Sequence, residues 1–199
     1  MGVPVTSYDD FRSKLEELLP QSDLFGFVLF DRRPTQRPVA SFVLENVDWL
    51  SDMATAMDIF LFMPVIPPES PTASNPSLEV GALFGVFPRE LPGILLFTSD
   101  LQKRGVYLPL KPDLFTSDVQ HVEELLSGIA GAVQACRAQS ASKDAILSCL
   151  SERVNHMKTA ERRKVFVDYL ADTAKAVLTF PQEFIKALAD AVAKGMIGA

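Results

Sequence analysis

The chain has 199 residues, of which 48% are hydrophobic and 22% charged, and it carries a net charge of −6. That composition excludes intrinsic disorder, and the length suits one domain with an appendage or one domain with a small second one. The acidic balance argues against a general nucleic-acid binder, whose affinity would rest on neutralising phosphates, so no nucleic acid is expected as a partner.

Near the start, Asp9, Asp10, Glu16 and Glu17 stand against Arg12 and Lys14 without the basic start and apolar block of a secretory signal, so a cytoplasmic protein is expected. Tyr8, Phe11, Leu15, Leu18 and Leu19 recur at helical spacing behind Ser7 as a cap, which predicts an amphipathic helix stopped at Pro20. Leu24 to Phe30 is almost wholly apolar, the pattern of a strand covered on both faces in an α/β sheet. After a polar turn, Asp31 to Arg37, one helix is predicted over Pro38 to Met57, with the proline in its first turn.

The next strand, Asp58 to Ile66, contains Pro64, which removes a ladder donor and places the strand at or near a sheet edge. A proline-rich connection over Pro67 to Pro76 leads to a short helix, Pro76 to Phe84, capped by Asn75. Leu91 to Phe97 and Gly105 to Leu110 read as two strands of a hairpin, and a helix from Ser117 to Cys136 follows. The apolar runs fall well short of the roughly 18 to 20 residues that cross a bilayer, so no membrane segment is expected. Cys136 and Cys149 lack any Cys-x-x-Cys or Cys/His spacing and read as small buried residues on helices in a reducing compartment.

The order helix, strand, helix, strand, helix, hairpin, helix resembles the thioredoxin-like fold from Tyr8 to Gln139. Its carriers are Asn75-Pro76 opening a short helix, the Gly85 segment, and Leu91-Pro92-Gly93-Ile94-Leu95-Leu96-Phe97, which looks like the family's strand beginning with a cis-proline. The resemblance implies an α/β fold with a mixed sheet flanked by helices, and Val3-Pro4-Val5 is a candidate strand covering the one with Pro64. It also places a redox dithiol in the turn after the first core strand, where a helix N-terminus lowers the thiol pKa. Here Thr35-Gln36-Arg37-Pro38 occupies that place, and the buried acid expected within the strand is missing from Phe27-Val28-Leu29-Phe30. Without a thiolate no disulfide is attacked, so the resemblance implies a member without thiol chemistry.

Two readings remain for Thr35 and Arg37: an anion or partner contact at a helix N-terminus, or ordinary residues of an exposed turn. Pro92 is expected to fix the strand start, and in the family the backbone beside it pairs with extended peptides, a role open to Leu91. His121 and His156 have no third ligand at useful spacing, so no metal site is expected. No phosphate loop, nucleophile elbow or dinucleotide fingerprint occurs, so no cofactor and no catalytic residue is assigned.

Residues 1–139 are assigned to the thioredoxin-like domain and 140–199 to a helical C-terminal extension. From Lys143 onwards the net charge is +2, against −8 before it. One helix is predicted from Ser142 to Leu178, with a break near Lys158 to Glu161, and a second from Pro181 to Ile197. The second carries Phe184, Leu188, Val192 and Met196 on one face. That stripe needs a cover, either within the chain or on another subunit. The basic Arg162-Arg163-Lys164 reads as a solvated face or as a contact to acidic surface on a second subunit.

The function expected from these residues is a redox-inactive binding or assembly protein that uses its C-terminal helices to dock a protein partner or form a homo-oligomer. The competing class is a glutathione-dependent transferase. It fits less well, because Gly93-Ile94-Leu95 follows Pro92 where a polar Ser-type pattern would grip glutathione.

Overall fold

The computed structural model of the protein describes residues 1–65, 75–99, 105–117, 119–139, 142–159 and 164–177. Phe184, Leu188, Val192 and Met196, with the helix expected around them, lie outside the described residues, as do Arg162, Arg163 and the side chain of Lys164. The elements in chain order are β1 (Gly2–Val5), α1 (Tyr8–Leu18), β2 (Leu24–Leu29), α2 (Arg37–Glu45), α3 (Val47–Ala56), β3 (Phe60–Pro64) and α4 (Pro76–Leu83). Then come β4 (Gly93–Thr98), β5 (Gly105–Pro109), α5 (Val119–Gln139), α6 (Lys143–Thr159), α7 (Lys164–Tyr169) and β6 (Lys175–Val177).

The strands form one six-stranded mixed sheet in the order β1-β3-β2-β4-β5-β6. β1, β3 and β2 run parallel, and each of the pairs β2/β4, β4/β5 and β5/β6 is antiparallel. β2 reads as an apolar run because helices cover both faces. Leu24 and Val28 point into one core, while Phe25, Phe27 and Leu29 point into the other. The second core is locked by Phe11 of α1, whose ring meets Phe27 and Phe62 edge-on at 5.1 and 4.9 Å. β1 covers β3 as expected, with Val3 opposite Phe62 and Val5 opposite Pro64. Pro64 is the last residue of its strand, where the missing donor costs least.

Local capping matches the sequence. Ser7 Oγ accepts the Asp10 N–H at 3.1 Å, and Asn75 Oδ1 accepts the Ser77 N–H at 3.0 Å. The helix expected over Pro38 to Met57 is instead two helices, because Asn46 breaks it. Its side-chain Nδ2 donates to Phe42 O at 2.8 Å, the same carbonyl its own N–H uses, a local bond that competes with helix continuation.

The C-terminal part differs more. The expected helix to Leu178 ends with α7 at Tyr169, and the chain then runs along the outer edge of β5. Ala171 N–H donates to Pro109 O at 3.1 Å, Leu110 bridges Leu170, and β6 pairs with Gly105, Val106 and Tyr107. The open hydrogen-bonding edge of β5 outweighed the four-residue spacing of Phe166, Leu170 and Ala174. Those three side chains are buried all the same, and Leu147, Leu150 and Val154 of α6 share one core with Val133 of α5 and Leu108 of β5. α7 reaches α5 at Gly128, where a Cβ would stand 2.6 Å from the Phe166 ring.

The cysteines are a second correction. Cys136 of α5 is buried as expected, but its sulfur is bonded to that of Cys149 on α6, with the two Cα atoms 5.7 Å apart. Two separate small residues were expected because no motif spacing links them; the antiparallel packing of α5 and α6 does. No helix among the described residues is long and apolar enough to cross a membrane.

Candidate functional site

The turn after β2, the start of α2, the start of α4 and the segment Pro88 to Pro92 before β4 meet at one end of the sheet. Asn75 Nδ2 donates to Phe30 O at 3.0 Å, which fastens α4 to the end of β2. Arg33 pairs through Nε with the buried Asp31 carboxylate and donates through Nη2 to Pro88 O at 2.6 Å. Gln36 lies at the centre. Its Oε1 accepts the Asp31 N–H at 2.8 Å, and its Nε2 donates to Leu91 O, also at 2.8 Å. Gln36 is only 1% exposed, so both bonds satisfy groups that water does not reach.

The Leu91–Pro92 bond is cis, the conformation expected at this position. Leu91 and Pro92 are both buried. The Leu91 N–H donates to Pro88 O at 3.3 Å, and its carbonyl is held by Gln36. Both backbone groups expected to pair with an extended peptide are thus engaged within the chain. Pro92 O accepts the Leu110 N–H at 2.8 Å. Thr35 and Arg37 are exposed, and Arg37 opens α2, where the unsatisfied N–H groups favour negative charge. The structure therefore brings the 35–37 turn and Leu91 together, but through the residue between the two that were singled out.

Below this turn, Tyr107 of β5 donates its hydroxyl to Glu90 O at 2.6 Å, and Glu90 pairs with Lys175 of β6. Burial alone would raise the Glu90 pKa. The hydrogen bonds from Lys175 and the Phe87 N–H, with the charges of Lys175 and Arg89, bring it below the usual carboxylate value. Burial also pushes the Tyr107 hydroxyl well up, with the Glu90 charge adding to it. Phe87 is 57% exposed, with the Arg89 guanidinium 5.4 Å from its ring centre.

Sequence reading missed Gln36, Asp31, Phe87 and Glu90. An amide in a polar turn carries no local sign of burial when its partner is 55 residues away; the aromatic Phe87 directly before Pro88 was an available signal. His121 Nδ1 lies 3.1 Å from the Tyr169 hydroxyl, and no group of three or more His, Cys, Asp or Glu among the described residues is placed to hold a metal ion. Separately, a cleft of about 810 Å³ opens between α5, α6 and α7, lined in part by Ser127, Gly131, Arg153 and His156. It contains none of the residues singled out for partner binding.

No family model, curated protein or solved structure matches the chain. The turn holds no thiol, and the buried Gln36 accepts the N–H of the buried Asp31. Arg33, Thr35, Arg37 and Phe87 face solvent around the buried Asp31 and Gln36, whose bonds join the turn to Leu91.

Proposed function

We propose that the chain is a redox-inactive, thioredoxin-like binding or assembly protein. The observation that carries this reading is the strand order β1-β3-β2-β4-β5 with its directions. It is the arrangement the resemblance implies, with an N-terminal strand over the strand that holds Pro64. The turn that would bear a dithiol presents Thr35-Gln36-Arg37-Pro38, and Gln36 spends its amide on the Leu91 carbonyl. The reading assigns no catalytic residue and no cofactor, and its partner is a protein or a second copy of this chain.

Recognition belongs to the exposed Thr35, Arg37 and Phe87, and self-association to the stripe Phe184, Leu188, Val192 and Met196. Leu91 and Pro92 shape the scaffold beneath the first surface. A cytoplasmic setting is part of the same proposal. There the Cys136–Cys149 bond would stand against a reducing thiol pool.

The test uses the full-length chain and a Leu188→Asp, Val192→Asp variant, both weighed by light scattering, with insulin reduction measured in parallel. The expected result is an oligomer that becomes a folded monomer in the variant, with no insulin reduction above background. A variant that kept the parent's mass in solution, or turnover abolished by replacing Cys136 and Cys149 with Ser, would count against the proposal.

A further inference from the structure

We propose that Cys136 and Cys149 form a reversible redox switch, in which oxidation fastens α6 and the sixth strand to the sheet and reduction loosens them. Cys136 lies near the end of α5 and is fully buried, whereas Cys149 on α6 is half-buried. The two are only 13 residues apart in sequence. The bond therefore ties α6 directly to the end of α5.

α6 in turn helps hold β6, beside its ladder to β5 and the Lys175–Glu90 pair. Leu147, Leu150 and Val154 place one side of it in the core. On another side, Ser151 Oγ and Asn155 Nδ2 donate to Ala174 O at 3.4 and 3.0 Å, and Asn155 Oδ1 accepts the Ala174 N–H at 2.6 Å. Ala174 immediately precedes β6, which covers the outer edge of β5. Disulfide, helix and edge strand are therefore mechanically linked, and a loosened α6 uncovers an edge able to pair with another strand.

The chemistry balances with a dithiol as reductant. One of its thiolates attacks the more accessible Cys149 sulfur and expels Cys136, which takes up a proton. Its second thiol then breaks the mixed disulfide and releases Cys149 as a thiol. Two electrons and two protons pass from the dithiol, which becomes a disulfide. Because the two cysteines are only 13 residues apart in sequence, the thiols stay near enough to rejoin when the dithiol is removed.

Hydrogen exchange of the full-length protein, oxidised or treated with dithiothreitol, reads this directly, with alkylation mass confirming the thiol state. Reduction should speed exchange over 143–159 and 174–177 by about ten-fold, leave β2 and β4 unchanged, and reverse on reoxidation. No acceleration in protein shown to carry two free thiols would overturn the proposal. So would an acceleration shared by β2 and β4, or thiols that stay unpaired under oxidised glutathione. A Cys149→Ser variant should show the fast pattern whether or not dithiothreitol is present, and a response to the reductant in that variant would equally overturn it.

Discussion

Gln36 donates its side-chain amide to the carbonyl oxygen of Leu91 at 2.8 Å, joining the turn after β2 to the segment before β4 across 55 residues of chain. The same side chain accepts the Asp31 N–H. One buried amide thus satisfies a donor and an acceptor that belong to two different loops, and the exposed Thr35 and Arg37 on either side inherit its rigidity.

Replacing Gln36 with Ala leaves the Asp31 N–H and the Leu91 carbonyl unpaired away from water. Each such group costs about 1–3 kcal/mol, so Gln36→Ala should lower the urea midpoint clearly while leaving the slope of the transition unchanged. A loss below about 0.5 kcal/mol would mean that water replaces the amide and that the turn is not held as described.

Gly93 and Tyr107 should be energetically coupled. A Cβ at Gly93 would lie 2.4 Å from the Tyr107 ring, and that ring cannot swing away without giving up its hydroxyl bond to Glu90 O. Gly93→Ala is expected to cost about 1–3 kcal/mol through overpacking. Combined with Tyr107→Ala it should cost clearly less than the sum of the two single changes, as a double-mutant cycle by thermal or urea unfolding would reveal. Strict additivity would remove the proposed contact.

The Glu90–Lys175 pair should make stability depend on pH on the acid side. The folded-state pKa of Glu90 is depressed from its ordinary 4.5. Its contribution is therefore fully present above the unfolded value and disappears as pH falls through the folded one. Lys175 is 41% exposed in this pair, so Glu90→Gln should cost only about 0.2–1 kcal/mol near pH 7. The gap between parent and variant should narrow as pH falls below the ordinary 4.5 and close below the depressed folded value, and added salt should shrink it. A gap that stayed constant down to pH 3 would show that the carboxylate charge is not what holds Lys175.

Much of the fold is written in local signals. Ser7 and Asn75 announce two helix starts because a side-chain oxygen followed by free N–H groups is a local arrangement. The apolar runs of β2 and β4 announce strands covered on both faces because every side chain there meets a core. Pro64 and Val3-Pro4-Val5 together indicate a strand covered by the N-terminus. What such signals could not carry depends on partners far along the chain or on competition between equally plausible local states. Residues 171–177 were expected to be helical, yet the open edge of β5 draws Lys175–Val177 into a strand. Asn46 looks like any helix residue until its side chain takes the Phe42 carbonyl. Cys136 and Cys149 sit on two helices with no motif between them, and only the packing of α5 on α6 brings their sulfurs into bonding range. The site divides in the same way. The exposed Thr35 and Arg37 were visible as turn residues, but the buried Gln36 between them, which ties the turn to Leu91, acquires its role only when two distant loops are folded against each other.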